Sequence, residues 1–261
     1  MNHRNSTVLF VHGWWGGPWV WDLFAQPFEE AGFHCETIDL NWNSETRKND
    51  LASFTTHLER LKSAVDAAEN PIVIGHSAGG LLIQKLIEST DVRAAVLLAS
   101  AAPRWIFPIR SLRLARFAIR HAINMLAEHP FLPPKRDMIE INLNALTPAE
   151  QSFVYGRMIP VSGQQCREVA ITGVPIRETV DHPATLIVSG SLDRLTPPAM
   201  GLAIAKKLRA DFREYPKNAH YLMREPNHRQ IAGDVMKWLV SHRIVSGEVE
   251  VNSPAVVKLP I

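Results

Sequence analysis

The chain is short of cysteine, of net charge and of long apolar runs, and each shortage removes a class of protein. Cys35 and Cys166 are its only cysteines. They cannot build a disulfide framework and show no metal-ligand spacing. Both read as buried thiols in a reducing, cytoplasmic setting. A formal net charge of +2 provides no strong field to draw nucleic acid or a membrane surface as partner. No stretch approaches the roughly 18 apolar residues that a membrane-spanning helix needs. The opening MNHRNSTVLFVHG enters an apolar strand pattern almost at once, so no secretory signal is expected. Internal repeats and low-complexity tracts are lacking too. What remains is a soluble globular protein. Its 46% hydrophobic and 21% charged residues supply a sizeable core.

Short apolar runs separated by helical patterns mark βαβ units and a mostly parallel sheet, the α/β class. The predicted strands are Val8–Val11, His34–Leu40, Ile72–Ile74, Ala94–Ala99, Thr185–Ser189 and Asp211–Tyr215. The predicted helices are Trp19–Ala31, Asn49–Ala68, Ala78–Ser89, Pro197–Leu208 and Glu225–Val240. From Pro103 to Pro183 the rhythm breaks into proline-punctuated helical pieces. This predicts a core over 1–102 and 183–243, a helical cap over 103–182 and a C-terminal tail over 244–261.

Gly75-His76-Ser77-Ala78-Gly79 follows an apolar run and opens a helical pattern. A G-x-S-x-G turned sharply between strand and helix lifts its serine above the strand's carboxyl end, over a helix N-terminus that can receive negative charge. Small residues on both flanks let strand and helix approach. A serine is a weak nucleophile until a base, oriented by an acid, takes its proton. Gly190-Ser191-Leu192-Asp193 and Asn218-Ala219-His220 both follow predicted strands, at the same sheet edge as Ser77. The order Ser77, Asp193, His220 therefore gives nucleophile, acid and base. Among the ten other histidines, His12, His76 and His182 adjoin strands and read as structural. His57, His121, His129 and His242 lie in helical patterns and read as solvent-facing. Asp181 precedes its strand and would point to the wrong edge.

Acyl transfer also needs two preorganised N–H donors for the developing oxyanion, each worth about 3 kcal/mol. The amide of Ala78, after the nucleophile, is one candidate. The amide of Trp14, in the loop His12-Gly13-Trp14, is the other, with Gly13 freeing that loop to turn inward. The same loop has neither G-x-x-x-x-G-K-[ST] nor G-x-G-x-x-G spacing, so a phosphate cradle is excluded. No metal or organic cofactor is implied.

With these residues in view, the chain resembles the α/β-hydrolase superfamily. The marks are VLFVHGWWGG, VIGHSAGG, VSGSLDRLTPP and KNAHYLMREP, spread over residues 8–226. The first strand lies so near the N-terminus that the core looks six-stranded, like that of the plant methylesterase and hydroxynitrile lyase group. Cyanogenic members of that group carry lysine directly after the catalytic histidine, whereas Tyr221 stands here. Relatives that dehalogenate or open epoxides use an aspartate nucleophile, and Ser77 argues against both. The resemblance implies a serine hydrolase of a carboxylic ester, lactone or thioester. Carbon–carbon cleavage, cyanohydrin or cofactor-free oxygen chemistry in the same site, or a receptor with a slow triad, are the alternatives.

The first stretch of the insertion carries two stripes at helical spacing. Arg110, Arg113, Arg116 and Arg120 form one; Leu112, Ala115, Ile119, Ile123 and Leu126 form the other. No acid occurs between Arg104 and Ala127. The bland reading is a solvated basic face over an apolar packing face. The alternatives are attraction of an anionic substrate, a partner or a membrane surface. Trp15, Trp42 and Trp105 are the candidate walls of a pocket for a small, apolar or aromatic ester. Oligomeric state is left open.

Overall fold

The computed structural model describes residues 6–43, 48–49, 52–104, 106, 112–126, 129–177 and 182–246, without the side chains of 42, 43, 48, 49 and 125. Strand β1 (Thr7–Val11) leads through a 3-10 turn (Pro18–Trp21) into α1 (Asp22–Glu30). Next come β2 (His34–Ile38) and a small antiparallel pair, β3 (Trp42–Asn43) with β4 (Lys48–Asn49). Then follow α2 (Phe54–Ala67), β5 (Ile72–His76), α3 (Ala78–Leu86) and β6 (Ala94–Leu98). Between β6 and the next sheet strand lie α4 (Leu112–Leu126), α5 (Lys135–Ile141), α6 (Pro148–Arg157), α7 (Gly163–Arg167) and a π turn (Glu168–Thr172). The chain then returns through β7 (Thr185–Gly190), α8 (Pro198–Leu208), β8 (Asp211–Tyr215) and α9 (His228–Ser241).

The six main strands form one parallel sheet in the order β2-β1-β5-β6-β7-β8. The four inner strands are almost wholly buried, as a sheet covered on both faces requires. The edge strands HCETI and DFREY are exposed and charged, which discourages pairing with another chain. Side chains alternate between the faces. Val8, Phe10, Ile72, Ile74, Val96 and Val188 pack with α1 and α9 on one side. Leu9, Val11, Val73, Leu97 and Ile187 pack with α2, α3 and α8 on the other. Strand order reverses between β1 and β5, so the loops after these two strands diverge and leave a crevice at their carboxyl ends. Both Trp14 and Ser77 stand there.

The predicted strands are found with end shifts of no more than two residues, whereas some helix starts move further. The pattern expected to begin a helix at Asn49 begins one at Phe54, because Ser53 caps it through its Oγ to the Thr56 amide (3.1 Å). Asn49 pairs in β4 instead. The helix expected from Glu225 starts at His228. Among the described residues, the insertion is mainly helical, with one antiparallel bridge between Phe131 and Val161. Some of its apolar side chains, including Phe117, Met138 and Val154, join the core cluster that holds α1 and α9. Cys166 is buried as expected, but Cys35 on the edge strand is only half-buried. At the C-terminal end Val245 is buried in the core; residues 247–261 lie outside the described residues.

Candidate active site

Ser77 joins β5 to α3 with φ 53° and ψ −119°, a backbone region that a residue with a Cβ occupies only when its surroundings force it. The surroundings are explicit. The Ser77 amide donates to Leu98 O (3.1 Å), and its carbonyl accepts from Leu81 (3.2 Å) and Ala101 (2.9 Å). A Cβ on Gly79 would stand 2.5 Å from the carbonyl oxygens of Val11 and His12, so only glycine lets α3 approach β1 this closely. The amide of Ala78 opens α3, where the first N–H groups have no acceptor within the helix.

Asp193 and His220 come from the loops after β7 and β8. Asp193 Oδ1 accepts from the amides of Leu195 and Thr196, each at 2.8 Å. Its Oδ2 accepts from Thr196 Oγ1 (2.7 Å) and from His220 Nδ1 (2.8 Å). A carboxylate accepts and does not donate, so this bond assigns the imidazole proton to Nδ1 and leaves the Nε2 lone pair available. Thr196 Oγ1 also stands 2.9 Å from Ala99 O, which ties the acid's loop to the end of β6. Sequence reasoning missed Thr196. The signal was its place three residues after an aspartate in a turn.

Behind the imidazole, His76 Nε2 donates to His220 O (3.0 Å), and the two rings lie 4.7 Å apart. Burial first, then the neighbouring His220, hold His76 well below the ordinary value of 6.5. His76 is therefore a neutral support, in keeping with its structural reading. Glu225 was also overlooked as a brace. Its carboxylate accepts from the Ala219 amide (2.9 Å) and Asn218 Nδ2 (2.6 Å), one and two residues before His220. Burial pushes its carboxyl above the ordinary 4.5, against the lowering pull of those two hydrogen bonds.

In the loop after β1, Gly13 acts through space rather than through torsional freedom. A Cβ there would sit 2.8 Å from Ser77 Cβ. His12 Nε2 accepts from the Leu40 amide (3.1 Å), so the ring's proton resides on Nδ1, which donates to Gly13 O (2.9 Å). That carbonyl and the Trp14 N–H belong to one planar peptide unit and point in opposite directions. By holding the oxygen, His12 fixes the aim of the Trp14 amide. Trp15 follows with φ 58° and is held by Trp15 Nε1 to Phe131 O (2.9 Å) and by Ile159 N to Trp15 O (3.2 Å).

Ser77, Ala78, Trp14 and Trp15 border a cavity of about 450 Å³. Its mainly apolar walls include Leu114 and Phe117 of α4, Ile171 of the π turn, and Met200. A strained serine that lines the cavity and an acid-bound imidazole thus lie at the same edge of one sheet.

The sequence model of the Alpha/beta hydrolase family matches residues 8–232. The chain belongs to that family. Curated relatives of this alpha/beta hydrolase match over a minority of their length. "Probable esterase PIR7A" of Oryza sativa subsp. indica is 31% identical over 110 residues, 40% of this chain and 42% of that protein. "Salicylic acid-binding protein 2" of Nicotiana tabacum is 30% identical over 107 residues, 38% and 41% of the two chains. In the fold, the alpha/beta hydrolase is similar to a crystal structure of a polyneuridine aldehyde esterase mutant. The TM-score is 0.67 and the identity 15%, over 90% of this chain and 99% of that one.

The remaining expectations divide. Among the candidate pocket walls, Trp15 borders the cavity. Trp105 lies outside the described residues, as does the side chain of Trp42 in β3. His57 and His121 are buried rather than solvent-facing. His57 Nδ1 meets Gln165 Nε2 at 2.8 Å, and His121 Nε2 meets Asp137 Oδ2 at 2.9 Å. The largest reversal concerns α4. Leu112, Ile119, Ile123 and Leu126, expected to pack inward, are 77%, 76%, 80% and 60% exposed. Leu114, Phe117 and His121 are buried in their place. Among the described residues no helix is long and apolar enough to cross a membrane.

Proposed function

We propose that this alpha/beta hydrolase is a serine hydrolase of carboxylic esters, lactones or thioesters, acting by two-step acyl transfer through Ser77, His220 and Asp193. The observation that carries the reading is the 2.8 Å bond from His220 Nδ1 to Asp193 Oδ2, together with a strained serine at the same sheet edge. In the first step His220 Nε2 takes the Ser77 proton while Oγ attacks the substrate carbonyl carbon. The amides of Trp14 and Ala78 receive the oxyanion. His220 then protonates the leaving oxygen or sulfur, and an acyl-serine remains. In the second step water gives a proton to His220 and attacks the acyl carbon. The tetrahedral species collapses to acid and free serine, which regains its proton from His220. Asp193 stays unprotonated throughout and holds the imidazole's tautomer.

The apolar cavity beside Ser77 favours an apolar or aromatic acyl group. The insertion over 103–182 acts as the cap that sets its size. Tyr221 is buried against His76, so the histidine is not followed by a lysine suited to cyanohydrin chemistry. The esterase names of matching relatives point the same way. A fluorophosphonate probe should label the wild-type protein and spare Ser77→Ala, which should keep its melting temperature and lose ester turnover about 10⁴-fold or more. Full turnover by Ser77→Ala would refute the assignment. A folded wild type that neither labels nor hydrolyses any ester, lactone or thioester in a panel would instead favour a ligand receptor.

A further inference from the structure

An α-helix advances about 100° per residue, so the fifteen residues of α4 divide into sectors. One sector, with Leu114, Phe117 and His121, is buried against the protein. Opposite it stand Leu112, Ile119 and Ile123, whose exposures of 77%, 76% and 80% are those of side chains surrounded by water. Arg113, Arg116 and Arg120 lie along one flank of this ridge, all exposed. Along the other flank, Ala118, Ala122 and Leu126 border the cavity beside Ser77, and Ile119 of the ridge itself reaches the cavity. The ridge therefore runs between a row of guanidinium groups and the mouth of the cavity. Across that mouth Ile171, 52% exposed, adds a further apolar side chain from the π turn.

A ridge of large aliphatic side chains in water is unfavourable unless something covers it. Its position beside an open apolar cavity and its basic flank narrow what that is. We infer that α4 and Ile171 form a landing surface for an anionic lipid bilayer. Leu112, Ile119 and Ile123 enter the acyl boundary, while Arg113 and Arg116 meet headgroup phosphates or carboxylates. Arg120 contributes less, because it is shared with Asp137 at 2.5 Å. A second copy of the chain fits this surface poorly. It would bring the same acid-free helix, with no carboxylate for the guanidinium groups. On a bilayer the cavity mouth faces the lipid, so an ester with a long apolar tail can pass from membrane to Ser77 without crossing water. This substrate class rests on the serine hydrolase reading; the landing surface does not.

The test is co-sedimentation with vesicles of phosphatidylcholine alone and with one third phosphatidylglycerol, using full-length wild type, Leu112→Ser/Ile123→Ser and Arg113→Ser/Arg116→Ser. None of the four substituted residues borders the cavity. Wild type should bind the anionic vesicles at least tenfold better than the neutral ones, and less in high salt. The aliphatic pair should weaken binding at least tenfold, and the arginine pair about tenfold. Turnover of a short, water-soluble ester should be unchanged in both. Hydrolysis of a long-chain ester carried in anionic vesicles should fall in step with binding. Wild type left in the supernatant with both vesicles would overturn the inference, as would either double variant binding like wild type. So would a wild-type dimer that the aliphatic pair makes monomeric without vesicle binding. Ser77→Ala separates the two readings, since it should lose turnover yet still sediment with vesicles.

Discussion

The loop of Asp193, through Leu195 and Thr196, and helix α4 both border the cavity beside Ser77 and are finished in opposite ways. Both oxygens of the Asp193 carboxylate are hydrogen-bonded, to the Leu195 and Thr196 amides, the Thr196 hydroxyl and His220. On α4, by contrast, Leu112, Ile119 and Ile123 form an aliphatic ridge that is exposed. A buried carboxylate with a missing partner is expensive, so its loop is over-determined by the protein itself. An exposed leucine or isoleucine costs less, and its placement can be left to an outside surface. The hydrogen bonds of the carboxylate are complete within the chain, whereas the α4 ridge is left exposed.

That contrast can be broken or sharpened by substitution. Asp193→Asn should have the largest effect, lowering kcat about 10⁴-fold by favouring the wrong imidazole tautomer while the fold survives. An intact circular dichroism spectrum with undiminished turnover would contradict it. Next comes Phe117→Ala, on the inward face of α4. It should cost about 3 kcal/mol in chemical denaturation, the low end for a buried aromatic, because one side of the ring already borders the cavity. Thr196→Val removes one hydrogen bond to Asp193 and should reduce kcat about tenfold with little change in KM. A wild-type rate would reduce Thr196 to loop packing.

Acid should reveal the tie between α4 and α5. Burial alone would raise the Asp137 carboxyl, but hydrogen bonds and charge from Arg120 and His121 outweigh it and hold the group below its ordinary 3.8. A carboxyl lowered on folding stabilises the protein fully above its unfolded value, and that stabilisation is lost as pH falls through the lower folded value. Denaturation midpoints from pH 6 down to 2.5 should therefore drop below about pH 4 in wild type, and less steeply in Asp137→Asn; parallel curves would exclude this role. The smallest effect belongs to Leu112→Ser/Ile123→Ser, which should alter stability by no more than about 0.5 kcal/mol per substitution. A loss near that of Phe117→Ala would mean that the ridge packs on protein after all.

The strands and the serine turn were legible because their signals are local. A buried parallel strand is a short apolar run, and the turn at Ser77 is a strand, a serine between glycines and a helix within a few residues. The candidate acid and base were legible as well, because fold topology puts loops after parallel strands at one edge. Thr196 and Glu225 were harder to see. Each works on a neighbour through a turn whose shape no residue pattern specifies, and each is common in loops that do nothing of the kind.

By itself, then, the sequence determined the alternation of strand and helix and the serine turn between β5 and α3, and it carries the proposal of an order of nucleophile, acid and base. Only the tertiary structure decided which side of α4 meets protein and where His57 and His121 are buried. The physical reason is that α4 is apolar over two sectors, one with Leu114 and Phe117 and one with Leu112, Ile119 and Ile123. Periodicity reports that both repeat with the helix. Which one is covered depends on neighbours such as Phe131 and Asp137, which reach it from later in the chain.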